Sequence, residues 1–553
     1  MLRIVNGEVY DPINGINGEV RDICVQDGRI IESSEVSGQP SVSATSEVGK
    51  TIDAAGMVVM PGGVDMHCHI AGPKVNLARK MRPEDHRNDV MPRTPITRSG
   101  TGGSVPSTFT TGYRYAAMGY TTAFDAAVPP LAARHAHEEF NDTPVVDKGF
   151  FVLMGNNEFI MQRIAAKQHE RARDYAAWLL QATKGYAIKL VNPGGVELWK
   201  FGGNVHALDD EVTGFGVTPR QIIQTLADVS AELGLPHPVH IHCNNLGIAG
   251  NWETTLETMK ALDGRRAHLT HIQFHSYGGK PGGLFASKAA ELAEYVNAHP
   301  NLTVDVGQVM FGDTTSMTGD GPLGYLLYQV TGRKWANVDV ETEEGCGIVP
   351  IEYKDKSHVH TTQWAIGLEW FLLINDPWRI ALTTDHPNGA SFMSYPRIIR
   401  LLMDREYRRE MMKQVHPKAL AKTHLPELDR EYSLYEIAII TRAGPARLLG
   451  LKNKGHLGIG ADADITIYDK DDDKEKMFAC PHYVIKDGRI LVEDGHIRED
   501  TYGRTFFVAP AYDPAIEADI REHFDKYYTI RFENYPVQLE HYLPRHEAVA
   551  CSD

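Results

Sequence analysis

Two histidines spaced one apart, His67 and His69, follow the apolar run Val58-Val59-Met60-Pro61-Gly62-Gly63-Val64. In an extended strand, residues i and i+2 point to the same side, so both imidazoles can bind one metal ion while Cys68 faces away. The β-branched residues favour a strand, and the glycines allow close packing of the backbone. This stretch therefore predicts a metal-binding corner at the end of a strand.

The chain contains three further His-x-His motifs. His135-Ala136-His137 lies in a helical pattern, where the two rings would point apart, and His358-Val359-His360 follows a charged loop without an apolar strand. We interpret neither as a metal site. His240-Ile241-His242 ends a short apolar strand and competes with the first pair, and spacing leaves either of its histidines open as a ligand.

Other groups suited to metal chemistry follow later predicted strands. Lys189 lies within the apolar strand YAIKLVN, where an unpaired ammonium would be costly to bury. His242 and His271 stand at the ends of the next two strands, and Asp385 follows the last one. Imidazole and carboxylate groups at successive strand ends are typical of a metal-dependent hydrolase.

Eight apolar strands alternate with helical segments between residues 57 and 449. Repeated βα units of this kind predict an α/β fold, a (β/α)8 TIM-like barrel with its active site at the carboxyl ends of the strands. Each candidate residue above falls at such an end. The pattern thus places all of them in one predicted site.

The two ends of the chain share a different pattern. Residues 1–56 and 450–500 read as short strands, and Val25-Gln26-Asp27-Gly28-Arg29-Ile30-Ile31 is echoed by Ile485-Lys486-Asp487-Gly488-Arg489-Ile490-Leu491. Asp-Gly between apolar runs is a strong hairpin signal. We expect one composite β-sandwich, the alternative being two unrelated hairpins. The aromatic-rich residues 501–553 are expected to pack on the barrel or on another subunit.

Composition narrows the functional classes. The 553 residues are 42% hydrophobic and 23% charged, with a net charge of −16, which argues against nonspecific binding to nucleic acid or an anionic membrane. The six cysteines form no C-x-x-C motif, so neither a disulfide framework nor an iron–sulfur cluster is indicated. No signal peptide and no apolar run of membrane-spanning length is apparent, so a cytoplasmic location is expected.

Several long segments resemble a known family. They are PGGVDMHCHIAGPKVN, RPEDHR, ARHAHEEFNDTP, ATKGYAIKLVNPGG, HIQFHSYGG and GHLGIGADADI. With these strings the whole chain resembles the amidohydrolase superfamily. Within it the chain is similar to the A subunits of formylmethanofuran dehydrogenases and formyltransferase/hydrolase complexes.

The resemblance implies a binuclear centre of two divalent ions, with zinc expected. His67, His69 and Asp385 would bind one ion, His242 and His271 the second, and a carboxylated Lys189 would bridge them. His242 is preferred to His240 because it is nearer the strand end and precedes Cys243-Asn244-Asn245, which matches the family pattern.

The resemblance also implies a reaction in one-carbon metabolism. A formyl carrier of the methanofuran or methylofuran type would be hydrolysed reversibly to formate and a free amine, with Asp385 moving the proton. The chain would be the hydrolase subunit of a complex with a formyltransferase and other subunits. Alternatives are the formate-condensing A subunit of a methanogen's formylmethanofuran dehydrogenase, a cyclic amidohydrolase of the hydantoinase or dihydroorotase type, and a metal-free scaffold.

Six further polar residues near predicted strand ends are candidate contacts for the formyl group or its carrier. The alternative for each is a helix cap or a hydrogen bond within a loop. They are Asn156, Asn192, Gln273, His275, Ser276 and Tyr277.

Overall fold

A computed structural model describes residues 1–32, 49–280, 283–337 and 347–552. Residues 33–48, whose Ser-, Gly- and Thr-rich composition predicts a loop, and Cys346 lie outside these ranges. The other five cysteines carry free thiols. None of the described helices is long and apolar enough to cross a membrane.

The described strands are β1 Leu2–Asp11, β2 Ile16–Gln26, β3 Arg29–Ile31, β4 Lys50–Asp53, β5 Met57–Pro61, β6 Gly63–Cys68, β7 Tyr120–Val128, β8 Asp147–Leu153, β9 Ala187–Val191, β10 Val239–His242, β11 Ala267–Leu269, β12 Tyr277–Gly278, β13 Ala286–Ser287, β14 Leu302–Asp305, β15 Gly312–Thr318, β16 Ala336–Asn337, β17 Gly347–Tyr353, β18 Ile380–Ala381, β19 Ile465–Asp469, β20 Tyr483–Lys486, β21 Arg489–Glu493, β22 His496–Ile497, β23 Thr505–Val508 and β24 His546–Val549.

The described α-helices are Pro73–Met81, Thr108–Ala117, Ala133–Asp142, Glu158–Ala165, His169–Thr183, Gly195–Lys200, Pro219–Glu232, Trp252–Ala261, Ala289–Ala298, Gly321–Thr331, His358–Leu373, Tyr395–Met403, Arg405–Gln414, Pro417–Leu420, Leu434–Ala438, Gly444–Leu449, Lys474–Ala479, Ile516–Tyr527 and Leu539–Tyr542. A 3-10 turn covers Ile272–His275, and a π-helical turn covers Ile439–Ala443.

Eight parallel strands form a nearly closed barrel. Their order is β6, β7, β8, β9, β10, β11, β14 and β18, and a parallel bridge between Cys68 and His386 joins the two ends. The strands are apolar along most of their length because helices cover their outer face. All eight correspond to strands predicted from the sequence, and the predicted barrel fold is confirmed.

The first predicted barrel strand is in fact two strands. Strand β5 pairs with β1 and β19 in the sheet of the chain ends, whereas β6 begins the barrel at Gly63. The amide of Gly62 donates to the Asp464 carbonyl (2.8 Å) and that of Gly63 to the Gly119 carbonyl (2.8 Å). The chain therefore passes from one sheet to the other at Gly62, five residues after the predicted start at residue 57.

The two chain ends build one nine-stranded sheet in the order β22, β21, β20, β19, β5, β1, β2 and β3, with β4 beside β1. Its own apolar core includes Ile4, Ile23 and Ile467. Asp27-Gly28 and Asp487-Gly488 both have positive φ angles, as a type I′ hairpin turn requires. The predicted composite unit is confirmed, and hydrogen bonds join its strands into one sheet.

The C-terminal segment packs against the barrel. Strand β23 pairs with the barrel strand β8, and β24 pairs with β23. Trp178, on an outer helix of the barrel, stacks on Phe532 and Tyr535 with ring centroids 5.5 and 5.7 Å away. Of the two predicted alternatives, packing on the barrel is the one seen in the described residues.

The inserted segment, which we define as residues 312–337 and 347–353, lies between barrel strands β14 and β18. It contains the small sheet β15, β17 and β16 and the Gly321–Thr331 helix. This segment covers part of the carboxyl end of the barrel and supplies part of the cavity wall described below.

A buried group of opposite charges joins the barrel to the sheet of the chain ends. The Lys486 ammonium donates to Asp147 (2.8 Å) and Asp464 (3.2 Å), and Lys454 lies 2.6 Å from Asp464. Burial opposes ionisation of Asp147, but Lys454 and Lys486 hold the pKa of its carboxyl well below its usual range. The contact between the two units thus depends on paired charge inside the protein.

Replacement of Lys486 by Met should lower the free energy of unfolding by about 3 kcal/mol, because two buried carboxylates lose a cation. This loss is at the lower end of the usual range because Lys454 remains. Denaturant titration followed by circular dichroism measures the change. Lys260→Met, which removes an exposed partner of Glu257, is the matched control and should change stability by less than about 1 kcal/mol. Equal effects of both variants would contradict this account.

Candidate metal centre

Three side chains from the first and last barrel strands converge at one point. The Nε2 atoms of His67 and His69 each lie 3.1 Å from Asp385 Oδ1. His67 Nε2 nevertheless has no hydrogen-bond partner among the described residues, as expected if the lone pairs of this nitrogen and of the Asp385 oxygen face the same space. Three ligand atoms of these residues lie within 4.8 Å of one another. The geometry suits a single cation.

A second convergence involves His242, His271 and His275, whose candidate ligand nitrogens also lie within 4.8 Å of one another. His271 has a left-handed backbone (φ 34°), and its amide donates to Asp305 Oδ1 (3.0 Å). That turn brings a ring from beyond the end of β11 back over the barrel. Nδ1 of His271 and both ring nitrogens of His275 are buried, and the described part of the chain offers them no hydrogen bond.

Lys189 lines the same cavity as these histidines. Its side chain is 1% exposed, and its Nζ has no hydrogen-bond partner in the described chain. Burial lowers the pKa of Lys189 to about 7. A substantial fraction of the amine is therefore uncharged at neutral pH, which is the form that can react with carbon dioxide.

Asp305, at the end of β14, lies beneath the first convergence and organises it. Its carboxylate accepts hydrogen bonds from Thr270 Oγ1 (2.6 Å), Thr383 Oγ1 (2.7 Å) and His268 Nε2 (3.0 Å), and it lies 3.2 Å from His67 Nδ1. Because Asp305 engages Nδ1 of His67, Nε2 is left for a cation.

Asp125, in the barrel strand β7, orients the ring of His69 in the way that Asp305 orients His67. Its Oδ2 accepts from the amides of Ile70 (2.8 Å) and Ala71 (3.0 Å), and its Oδ1 lies 3.5 Å from His69 Nδ1. The side chain of His69 is therefore held with Nε2 directed at Asp385. Sequence reasoning missed Asp125 and Asp305, although both are acids within otherwise apolar strands.

His240 and His242 occupy different environments. His240 Nε2 lies 3.2 Å from His67 Nδ1, and its Nδ1 lies 2.9 Å from His237 Nε2, so both nitrogens are satisfied within the core. His242 lines the cavity instead. This placement agrees with the preference for His242, while the role of ligand stays a prediction.

The cavity above these groups has a volume of about 340 Å3. Its floor carries all six predicted metal ligands: His67, His69, Lys189, His242, His271 and Asp385. Its walls are largely apolar, with Phe274, Phe285, Met317, Leu323 and Tyr353 among the lining residues. His360, from a motif that we set aside, also lines it. The shape suits a small organic group held over a polar floor.

The six predicted substrate contacts lie outside the lining of this cavity. Asn156 Nδ2 donates to the Val191 carbonyl (2.8 Å), and Ser276 Oγ donates to the Ile272 carbonyl (2.7 Å). Tyr277 donates to Gln273 Oε1 (2.9 Å). Asn192 accepts from Asn244, and His275 lies behind His242 and His271. Their substrate role stays a prediction, and most act in internal hydrogen bonds here.

The donor set fits divalent metal ions. Unpaired nitrogens on His67, His271 and Lys189 are buried together with the Asp385 carboxylate, and buried polar atoms normally have a partner. Imidazole and carboxylate groups suit zinc and similar ions. The convergent arrangement is thus explained if cations complete it.

Comparisons with known proteins agree with the fold. The model of the amidohydrolase family matches residues 50–492. The chain is 49% identical to Protein FwdA of Methanocaldococcus jannaschii over 561 residues, which cover 97% of each chain. It is 39% identical to the A subunit of the formyltransferase/hydrolase complex Fhc of Methylorubrum extorquens over 544 residues, which cover 96% of this chain and 95% of that one.

A solved structure extends these similarities to three dimensions. The chain superposes on a chain of the FhcABCD formyltransferase/hydrolase complex of Methylorubrum extorquens, crystallised with methylofuran, with a TM-score of 0.91. The two are 37% identical, and the match covers 100% of both chains.

Replacement of Asp305 by Asn should weaken binding of the first metal ion by about 10- to 100-fold, because His67 loses the carboxylate that orients its ring. Zinc titration against a competing chromophoric chelator measures the affinity. Asp209→Asn, at an exposed ion pair with Arg220, is the control and should bind zinc like the wild type. An Asp305 variant with unaltered zinc affinity would show that the carboxylate has no such role.

Proposed function

This chain belongs to the amidohydrolase family, and we propose that it catalyses the reversible hydrolysis of an N-formyl amide to formate and a free amine. The formyl carrier is a furfurylamine of the methanofuran or methylofuran type. The observation that carries the proposal is the convergence of His67, His69 and Asp385 beside His242 and His271 on the floor of one cavity. The high identity with FwdA and with the A subunit of Fhc supports the choice of substrate.

In this proposal the site holds two divalent ions, with zinc the expected metal. His67, His69 and Asp385 would hold the first ion, His242 and His271 would hold the second, and Lys189 as a carbamate would add oxygen ligands beside them. His275 is close enough to His242 and His271 to add a third imidazole. When bound, the two ions would lower the pKa of water and polarise the formyl carbonyl oxygen.

Asp385 is the residue proposed to move the proton. Its Oδ1 lies near His67 and His69 and accepts from Asn388 Nδ2 (2.9 Å), whereas Oδ2 makes none of these contacts. Burial opposes ionisation, but His271 and His67 hold the pKa of Asp385 well below its usual range. An ionised carboxylate can accept the proton of the attacking water and then donate it to the leaving nitrogen.

The cavity wall supports a substrate with an apolar arm. The lining includes Phe274, Phe285, Leu323 and Met317 above the polar floor, so an aromatic amine can pack against the wall while its formyl group meets the floor. Closing the reacting atoms away from bulk water strengthens the electrostatic interactions with Asp385.

The setting of the reaction is proposed from the relatives. The Methylorubrum extorquens relative belongs to a formyltransferase/hydrolase complex, and we infer that this chain also works in a hetero-oligomer that includes a formyltransferase. The second candidate is the formate-condensing A subunit of a methanogen's formylmethanofuran dehydrogenase. The observation that supports this second candidate is the higher identity with Protein FwdA of Methanocaldococcus jannaschii, 49% against 39% with the A subunit of Fhc. In both candidate settings the same site catalyses the same reaction, but the reaction proceeds in opposite directions.

Asp385→Asn should lower kcat for formate release by about 10²- to 10⁴-fold, because the amide cannot accept the water proton. The assay is formate release from an N-formyl furfurylamine carrier by the purified chain with its co-purifying subunits. Asp429→Asn, at an exposed pair with Arg409, is the control and should retain activity. A wild type that leaves the formamide intact but opens dihydrouracil or dihydroorotate would replace this function with that of a cyclic amidohydrolase.

Wild-type protein incubated with ¹³C-bicarbonate and zinc should show a carbamate signal by ¹³C NMR, and Lys189→Met should abolish this signal. The reason is that Lys189 lies on the cavity floor beside the predicted ligands. Among the described lysines, it is the one at this floor whose Nζ has no hydrogen-bond partner. Lys260→Met, on an exposed helix position, should keep the signal. A carbamate that persists in Lys189→Met would assign the modification to another lysine.

A further inference from the structure

One carboxylate of the inserted segment, that of Asp320, contacts the predicted metal ligand His242. Asp320 Oδ2 lies 2.5 Å from His242 Nε2, and both side chains are buried. Asp320 does not line the cavity, whereas His242 does. Asp320 thus contacts His242 through Nε2 without itself lining the cavity, although Thr318 and Gly319 beside it do.

The backbone around Asp320 is held independently of that contact. Its amide donates to Thr318 Oγ1 (2.9 Å), and its carbonyl accepts from Gly324 (3.1 Å). The next residue, Gly321, packs so closely on Trp199 that a Cβ would lie 2.6 Å from the indole Nε1. Asp320 begins the Gly321–Thr331 helix, but its side chain makes no capping hydrogen bond. The Asp320 carboxylate is thus not engaged in capping the helix and can accept a hydrogen bond from His242.

A carboxylate at this position determines which nitrogen of His242 can bind a cation. When Asp320 accepts a hydrogen bond from Nε2, the proton resides on Nε2 and the lone pair resides on Nδ1. A carboxylate partner also makes the imidazole a stronger electron donor to a metal ion. Asp305 and Asp125 have the corresponding relation to His67 and His69.

We propose that Asp320 is a positioning residue for the second metal ion: it fixes the ring and tautomer of His242, so that Nδ1 is the metal-binding nitrogen. The inference rests on the metal pair of the proposed function. It also links two parts of the site, because the same inserted segment contributes Met317 and Leu323 to the apolar wall. The wall that holds the substrate and the ligand that holds the metal are then joined through one hydrogen bond.

The test is the affinity of the full-length apoprotein for each of two zinc ions, measured by competition with a chromophoric chelator. Asp320→Leu should weaken binding of the second ion by about 10- to 100-fold and leave the affinity for the first ion unchanged. Asp320→Asn should lose less affinity for the second ion, because its amide oxygen can still accept a hydrogen bond from Nε2 of His242. Cobalt substitution gives a second readout, since the absorption of the second cobalt ion should change in Asp320→Leu.

Asp313→Asn is the matched control, because Asp313 lies in the same segment with its side chain 51% exposed and paired with Arg82. It should bind both ions like the wild type. Unaltered binding in Asp320→Leu would overturn the inference, and so would tighter binding, which would identify Asp320 as a competitor for His242. If Asp320→Leu does not fold, the isosteric Asp320→Asn and its cobalt spectrum decide. A wild type that binds fewer than two ions would instead refute the metal pair itself.

Discussion

Polar atoms without a protein partner are costly to bury, and this barrel collects them at the carboxyl ends of its strands. His67 Nε2, His271 Nδ1 and Lys189 Nζ are all buried, and none has a hydrogen-bond partner among the residues that the structure describes. Much of the surrounding structure serves to hold these atoms in place. Asp305 and Asp125 engage the opposite nitrogens of two imidazoles, and the left-handed turn at His271 brings a third ring over the barrel axis.

The parts of the chain divide the work between them. The barrel strands supply the groups that can bind cations, and the inserted segment supplies much of the apolar wall above them. The described strands of the sheet of the chain ends contribute no residue to the cavity lining. It is attached through buried charges on Asp147, Lys486 and Asp464, which align it with the barrel. The candidate metal-binding groups, much of the apolar wall and the buried charges thus come mainly from different elements, and Asp320 of the inserted segment connects two of them through His242.

The sequence predicted the repeated pattern well because alternation of apolar strands and helices is a local property. The eight barrel strands and the pairing of the two chain ends follow from it. Residues whose role depends on distant partners were not predictable in this way. The roles of Asp305 and Asp320 can be recognised only once the fold places them beside His67 and His242. Conversely, Asn156 and Ser276 lie near strand ends but hydrogen-bond inside the protein, because position along a strand does not fix side-chain direction in the following loop.

The pairing of β5 with β19 has a consequence for biosynthesis. Pro61 and Ile465 are neighbours in this sheet although some four hundred residues separate them, so β5 emerges from the ribosome long before its partner exists. Until then the early strands present an unpaired edge, which is prone to wrong association. The barrel, whose neighbouring strands follow one another along the chain, can form during this interval. The sheet of the chain ends is therefore complete only after residues 465–497 have been made, and a chain cut before them would leave this edge of β5 without its partner strand.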